Sequence, residues 1–226
     1  MNRPPGKSIN RVSYPLFTKV GEDIDKFKTI ILKINKLIAY FYVPLLFFLI
    51  FNAHEIIVFL LTEKWTNIIP FFQILCLGAF LEPMTHYYGS VINSFGDSGL
   101  VLKISFYSRI LTVIGLIFIT KIGVYPLVIF QAVNIFFTAL VFMYYGGRKI
   151  NYKLLKQFKE ILPELSIGIS SSVLIYFLCC WINFNGIYSV IIYLLSFVIF
   201  YIIISEILKL TTYVFVKNEL LAVFNK

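Results

Sequence analysis

Six apolar stretches, each long enough to cross a lipid bilayer as a helix, alternate with short polar segments along this chain. A membrane-spanning helix needs about 20 consecutive apolar residues, and the stretches of this length are residues 37–61, 68–94, 100–120, 123–145, 163–182 and 186–208. Three stretches contain an internal proline (Pro44, Pro83 or Pro126), which membrane helices tolerate where neighbouring groups satisfy the freed carbonyls. The pattern predicts an all-α, polytopic membrane helix bundle.

The composition leads to the same class of protein. The chain of 226 residues is 59% hydrophobic and 14% charged, whereas soluble domains are about 45–50% apolar and about 25% charged. A water-soluble core of this size cannot bury so large an apolar fraction, so the excess must face lipid. The first 36 residues are polar and basic, so they do not have the form of a cleavable signal peptide.

The basic residues predict how the chain is oriented. Of the 20 lysines and arginines, 16 fall in alternate polar segments, Lys103 and Arg109 follow one of these segments in the first half of the third span, and only Lys64 and Lys121 fall in the other segments. The side richer in basic residues is cytoplasmic by the positive-inside rule, so we expect both termini in the cytoplasm. The net charge of +9 then serves topology and contact with anionic headgroups. We therefore expect no nucleic-acid partner.

The spans and charges divide the chain into five predicted segments. They are a polar start with an amphipathic juxtamembrane helix, a four-helix part, a basic cytoplasmic loop, two further transmembrane helices and a cytoplasmic tail, at residues 1–36, 37–146, 147–162, 163–208 and 209–226. The amphipathic stretch, residues 21–36, either lies along the inner membrane surface or extends the first span into the cytoplasm.

The three cysteines, Cys76, Cys179 and Cys180, all fall inside predicted spans. Their number is odd and they lack the spacing of metal ligands. We interpret them as small apolar side chains that fill the interior. The sequence predicts no metal site.

Polar residues form one narrow strip on the second span. At 100° per residue, a straight helix aligns Gly78, Glu82, His86, Gly89 and Asn93, whereas Gln73 lies on the opposite side. A charge at bilayer depth costs at least about 2.5–3.5 kcal/mol, so such residues usually face a bundle interior or a wet cavity. Glu82 is then either a proton- or ion-responsive group paired with His86, or a neutral carboxyl that hydrogen-bonds between helices.

Two more spans carry weaker polar strips. Ser105, Arg109 and Thr112 align on the third span, and the fourth span carries Gln131, Asn134 and Thr138. Arg109 either extends towards the cytoplasmic surface or faces a cavity and meets an anionic ligand, because guanidinium matches phosphate geometry. Such hydroxyls and amides also commonly join helices. Together the strips indicate the aqueous cavity of a transporter.

A series of short elements follows a fixed order between residues 9 and 165. A Val–x–x–Pro element precedes the acidic–basic stretch, and a Glu–Lys–Trp turn precedes a Pro–x–x–Gln–x–Leu helix; later come a proline, an asparagine, a glycine turn, a Leu–Lys pair, an arginine and a basic loop. These residues are Val12, Pro15, Glu63, Lys64, Trp65, Pro70, Gln73, Leu75, Pro83, Asn93, Gly96, Leu102, Lys103, Arg109 and 147–163. Their order and spacing resemble the polysaccharide flippases, of the Wzx and teichuronic-acid exporter type, in the multidrug/oligosaccharidyl-lipid/polysaccharide exporter superfamily.

The resemblance implies a function without a covalent reaction or a bound cofactor. The chain would move an undecaprenyl-pyrophosphate-linked oligosaccharide from the inner to the outer leaflet of the bacterial cytoplasmic membrane. The candidates for the polar, cationic lumen that receives it are Arg109, Lys103, Asn93, Gln131 and Asn134. Inward proton or sodium flow would drive the cycle, and the candidate coupling residues are Glu82 and His86.

Members of this family are about twice as long and contain two six-helix lobes that rock around a central site. We therefore expect this chain to be a C-terminal portion, with part of the second lobe and two additional helices. Its expected partners are membrane lipids, the lipid-linked oligosaccharide and a missing N-terminal lobe. On this interpretation the chain alone does not transport.

Two alternatives remain open at the level of sequence. One is a membrane enzyme of the same pathway, such as a polysaccharide polymerase or a glycosyltransferase. Such an enzyme needs a sizeable extramembrane loop or an acidic cluster, and the outer turns at about 62–67, 120–123 and 182–186 are short. The other alternative is an inactive membrane scaffold.

Overall fold

The computed structural model describes residues 24–182, 188–208, 210 and 212–217. They contain no strand, and they include eight α-helices between residues 24 and 207 and a further helical stretch at 212–217, so the all-α prediction is confirmed for this part of the chain. The helices are α1 (Ile24–Phe51), α2 (Ala53–Leu61), α3 (Ile69–Gly78), α4 (Glu82–Ser94), α5 (Ser98–Ile119), α6 (Val124–Lys149), α7 (Leu154–Ile182) and α8 (Tyr188–Ile207). Short 3₁₀ segments, Glu63–Ile68 and Ala79–Leu81, precede α3 and α4.

Six helical stretches within the described ranges are long and apolar enough to cross a membrane. They are Lys28–Phe51, Glu63–Ser94, Ser98–Ile119, Val124–Lys149, Leu154–Phe177 and Val190–Ile207. Their number agrees with the prediction, and the protein is a multi-pass membrane protein. Three sets of predictions lie outside the described residues: the elements at Val12 and Pro15, the part of the predicted tail beyond residue 217, and the side chains of Cys179 and Cys180.

Several predicted boundaries differ from the structure, and the first helical stretch already begins at Lys28 rather than at residue 37. The first span ends at Phe51 rather than at residue 61, because Asn52 interrupts the helix and its Nδ2 donates to the Phe48 carbonyl at 2.9 Å. The predicted basic loop, 147–162, is largely helical, since α6 continues to Lys149 and α7 begins at Leu154. Buried Gln157 folds this segment back onto α6 by donating from Nε2 to the Met143 carbonyl at 3.2 Å. The cytoplasmic location of the segment stays a prediction.

A proline explains why the second span is not one straight helix. Pro83 has no N–H, and its ring clashes with the carbonyl four residues earlier, that of Ala79. The α-helix therefore ends at Gly78, the chain continues as a 3₁₀ turn, and Pro83 occupies the first turn of α4, where its missing N–H breaks no hydrogen bond.

The described residues form two compact units. The first contains residues 24–32 and Gly78–Phe158, and the second contains Lys33–Leu77 and the described residues from Lys159 onwards. The second unit has an aromatic and aliphatic core between α1, α2, α7 and α8, which includes Phe48, Ile56, Ile175, Tyr193 and Phe197.

The first unit is built from α4, α5 and α6, which pack closely through small residues. A Cβ added to Gly78 would lie 2.5 Å from the Ala132 Cα, and one added to Gly146 would lie 2.6 Å from the Tyr88 ring. Small residues let helix backbones approach in a membrane, where lipid supplies no hydrophobic force between helices. An ion pair between Asp97 and Lys149 joins the α4–α5 turn to the end of α6.

Candidate substrate cavity

A polar cavity of about 300 Å³ lies between α4, α5 and α6 of the first unit. This volume corresponds to that of about ten water molecules. Six of the seven predicted site residues line it. Three come from α4, one from α5 and two from α6: Glu82, His86, Asn93, Arg109, Gln131 and Asn134. The three polar strips therefore converge on one space.

The strip on α4 begins later than predicted. Glu82, His86, Gly89 and Asn93 line the cavity, but Gly78 packs against Ala132 on α6 instead. The straight-helix assumption failed between Gly78 and Glu82 because the intervening 3₁₀ turn has 3.0 residues per turn and advances about 120° per residue. Gly78 is therefore a packing residue and does not line the cavity.

Glu82 and His86 contact each other along α4. The Glu82 Oε1 and His86 Nε2 atoms are 3.7 Å apart, and the two side chains are 43% and 76% exposed. Among the residues that the structure describes, His86 is the one basic side chain within ion-pair distance of this carboxyl group. The pair is thus open to the cavity, in an arrangement where a proton or a small cation can reach the carboxylate.

Arg109 lies near the middle of its span. It is the twelfth of the 22 residues of α5, which places it about 16 Å along the helix axis. Its exposed side chain lines the cavity, and it forms no ion pair with any residue that the structure describes. Glu82 and Arg109 lie 14 and 13 residues from Gly96 in the α4–α5 turn, so they have a similar depth. Of the two interpretations of Arg109, the geometry favours the one that faces a cavity.

Asn134 joins α5 to α6. Its Nδ2 donates to the Ser108 carbonyl at 3.2 Å and to the Thr112 Oγ1 at 3.0 Å, and the residue is 7% exposed. The hydroxyls of Ser108 and Thr138 lie 2.8 Å apart and add a second link. This network holds α5, and with it Arg109, in register with α6. Asn93 and Gln131 are partly exposed and are the amides that face the cavity more openly.

Lys103 is not among the residues that line this cavity, and its role in a lumen shared with Arg109 stays a prediction. It lines a separate cavity on the other side of the α5–α6 seam. The two residues are six positions apart, which corresponds to about 240° around a helix, so they point in different directions.

Some cavity residues were missed by the sequence analysis. Thr85, Ser90 and Ser108 all line the polar cavity. Each is a small hydroxyl residue three or four positions from a member of a predicted strip, so a wider strip would have included it. Gln73, predicted on the opposite side of the second span, is absent from the cavity lining and donates from Nε2 to the Ile50 carbonyl at 2.9 Å in the second unit.

The described residues contain no group of three or more histidine, cysteine or acidic side chains that could hold a metal ion. The features that can act on a ligand are instead a guanidinium, a carboxylate–imidazole pair and several amides and hydroxyls. Such groups bind and orient polar molecules. The fold and the cavity together define a multi-pass membrane protein with a hydrophilic space between its helices.

Comparisons with known proteins link this chain to polysaccharide biosynthesis. A family model described as a polysaccharide biosynthesis protein matches residues 6–70. The chain is 27% identical over 120 residues to an uncharacterized membrane protein in the cps region of Klebsiella pneumoniae, an alignment that covers 52% of this chain and 25% of that protein. It is 29% identical over 84 residues to the lipopolysaccharide biosynthesis protein WzxC of Escherichia coli K12, covering 37% of this chain and 17% of WzxC.

The matched region thus spans a quarter or less of the length of these curated relatives. No solved structure matches the chain significantly. The similarities support a membrane protein of polysaccharide biosynthesis or export.

Proposed function

We propose that this chain forms part of a flippase that moves a lipid-linked oligosaccharide across the cytoplasmic membrane during polysaccharide or lipopolysaccharide biosynthesis. The observation that carries the proposal is the polar cavity between three membrane helices, with a mid-span guanidinium that makes no ion pair with any described residue. The similarity to a family of polysaccharide biosynthesis proteins and to WzxC supports the substrate class.

In this proposal Arg109 binds the pyrophosphate of the substrate. A guanidinium presents a planar set of donors that matches phosphate oxygens in a bidentate way, and Arg109 makes no ion pair within the described part of the chain that would compete. Asn93 and Gln131 offer amide donors and acceptors to sugar hydroxyls from two sides of the cavity. The lipid portion stays in the surrounding membrane, and no covalent bond is made or broken.

A second helical lobe completes the cavity in this proposal. The side chains of His86 and Arg109 are exposed at membrane depth, and a charged group facing hydrocarbon there costs several kcal/mol. A further hydrophilic surface covering them would remove that cost and would supply the second half needed for alternating access. We call this chain together with that lobe the complete exporter.

Cysteine labelling tests whether the cavity holds water. In a background without Cys76, Cys179 and Cys180, we expect Glu82→Cys, His86→Cys and Arg109→Cys in the complete exporter to react with a water-soluble, membrane-impermeant thiol reagent. Thiols react as thiolates, which form only where water solvates the charge. Asn134→Cys should react more slowly because this position is 7% exposed.

Matched controls for labelling lie on the lipid-facing side of α5. Leu111 and Ile114 are 49% and 45% exposed and lie inside the span rather than at its end, so Leu111→Cys and Ile114→Cys test exposure without a polar surrounding. We expect both to stay unlabelled. If the reagent reaches none of positions 82, 86 and 109, the cavity is closed to water and the transport proposal is wrong.

Glu82 and His86 are the proposed coupling pair. We expect Glu82→Gln in the complete exporter to remove the dependence of export on an inward proton or sodium gradient, since an amide neither takes up a proton nor attracts a cation as a carboxylate does. The measurement is export of lipid-linked sugar in cells or vesicles at several external pH and sodium values. Glu63→Gln, which changes an exposed carboxylate outside the cavity, should leave the dependence intact. Unchanged gradient dependence in Glu82→Gln would exclude this role.

A further inference from the structure

The cavity that contains Lys103 has the form of a binding site for a single lipid. It has a volume of about 400 Å³ and lies between α5 and α6, on the other side of their seam from the polar cavity. We refer to it as the lipid-side groove, defined by Lys103, Tyr107, Leu111, Phe137, Val141 and Tyr145. Most of its wall is apolar, in contrast to the polar cavity.

The groove has a polar end and an apolar end. Lys103 is in the second turn of α5 and Tyr145 is near the end of α6; because the two helices are antiparallel neighbours, these residues lie at the same end. Leu111 lies eight positions after Lys103, and Phe137 lies eight positions before Tyr145. Both are therefore about 12 Å further along the groove from its polar end. The Lys103 ammonium and the Tyr145 phenol therefore lie at one end of the groove, and the rest of its length is lined mainly by apolar side chains.

The polar groups between the two helices already have hydrogen-bond partners, so they do not need a ligand in the groove to supply one. Ser108, Asn134 and Thr138 line it as well, but they already hydrogen-bond to one another across the α5–α6 seam. Lys103 differs from them. Its ammonium forms no hydrogen bond or ion pair with any residue that the structure describes, and its side chain is exposed.

We propose that the lipid-side groove binds one anionic phospholipid. The phosphate contacts the Lys103 ammonium, the Tyr145 phenol lies at headgroup level where tyrosine is favoured, and an acyl chain packs along Leu111, Phe137 and Val141. The charge of Lys103 selects an anionic headgroup over a zwitterionic one. This site does not depend on the transport proposal, because Lys103 and the apolar residues that would contact the lipid do not line the polar cavity.

The test is retention of lipid by the purified 226-residue chain in detergent, measured by native mass spectrometry. The chain is exposed to phosphatidylglycerol, phosphatidylethanolamine or a polyprenyl phosphate at equal mole fraction. We expect retention of phosphatidylglycerol over phosphatidylethanolamine, and an about fivefold reduction of that preference in Lys103→Gln, as expected for one basic residue near the surface. Lys156→Gln is the matched control, since Lys156 is an exposed lysine of the same unit outside the groove.

A second variant tests the apolar part of the site. Val141→Trp places a larger side chain in the groove without removing Lys103, and we expect it to reduce retention of phosphatidylglycerol while circular dichroism shows unchanged helix content. Equal retention of the two phospholipids by the unaltered chain, or equal losses in Lys103→Gln and Lys156→Gln, would overturn the proposal. Preferential, Lys103-dependent retention of the polyprenyl phosphate would also overturn it, because the groove would then belong to that carrier.

Discussion

Arg109→Ala is expected to reduce export of lipid-linked sugar by the complete exporter about 10- to 100-fold. A hydrogen bond to a charged group contributes about 1.5–3 kcal/mol, and no other arginine or lysine of the described chain lines the polar cavity with Arg109. Without the guanidinium, the pyrophosphate would enter a space that has no permanent cation and that keeps the Glu82 carboxyl group, whose ionised form repels it. Complete lipid-linked oligosaccharide should therefore accumulate on the cytoplasmic side.

The measurement is polysaccharide at the cell surface in a strain that lacks its own exporter, with membrane levels of the protein checked. Arg148→Ala serves as the control, because Arg148 is an exposed arginine in the last turn of α6 and does not line the cavity. Export by Arg109→Lys should lie between the export levels of Arg109→Ala and Arg148→Ala, because an ammonium keeps the charge but cannot bind phosphate in a bidentate way. Full export by Arg109→Ala would show that this arginine does not bind the substrate.

Gly78→Ala is expected to lower the stability of the folded chain by about 1–3 kcal/mol, the usual cost of overpacking a tight contact. The added Cβ would lie 2.5 Å from the Cα and 2.6 Å from the Cβ of Ala132, and these are atoms that cannot rotate away. The α6 backbone must move instead. The backbone of Gly78 is itself in the right-handed helical region, at φ −63° and ψ −37°, so alanine introduces no conformational strain of its own.

Gly99→Ala is the matched control for this substitution. Gly99 is also helical, but a Cβ added there has no atom within 4 Å, so alanine should raise stability by up to about 0.5–1 kcal/mol through its better helix propensity. The two variants are thus expected to shift the temperature of unfolding in detergent in opposite directions. A Gly78→Ala variant that is as stable as Gly99→Ala would contradict the close approach of the chain at Gly78 to α6.

The polar strips were predictable because helix periodicity is a local property. Residues three or four positions apart on α4, α5 or α6 must share a face whatever the rest of the chain does, and the predicted strips of α5 and α6 line the polar cavity in full. The prediction failed where it assumed a regular helix across Pro83, and the error fell on Gly78. Lys103 was assigned to the lumen because of its charge and the family resemblance. That prediction did not consider the angle between Lys103 and Arg109 around the helix axis.

The sequence by itself determined that the protein crosses a membrane several times. It also determined which residues lie on polar helical faces: Glu82, His86, Asn93, Arg109, Gln131 and Asn134. Both results follow from the length and the periodicity of the apolar stretches, which depend on the order of residues alone. Only the tertiary structure decided that these faces meet in one cavity, that Asn134 serves to join two helices and that Lys103 belongs to a separate groove. Those outcomes depend on which sides of the helices pack together. Close contacts between residues that are distant along the chain fix this packing. Examples are Gly78 with Ala132 on α6, and Gly146 with Tyr88 on α4.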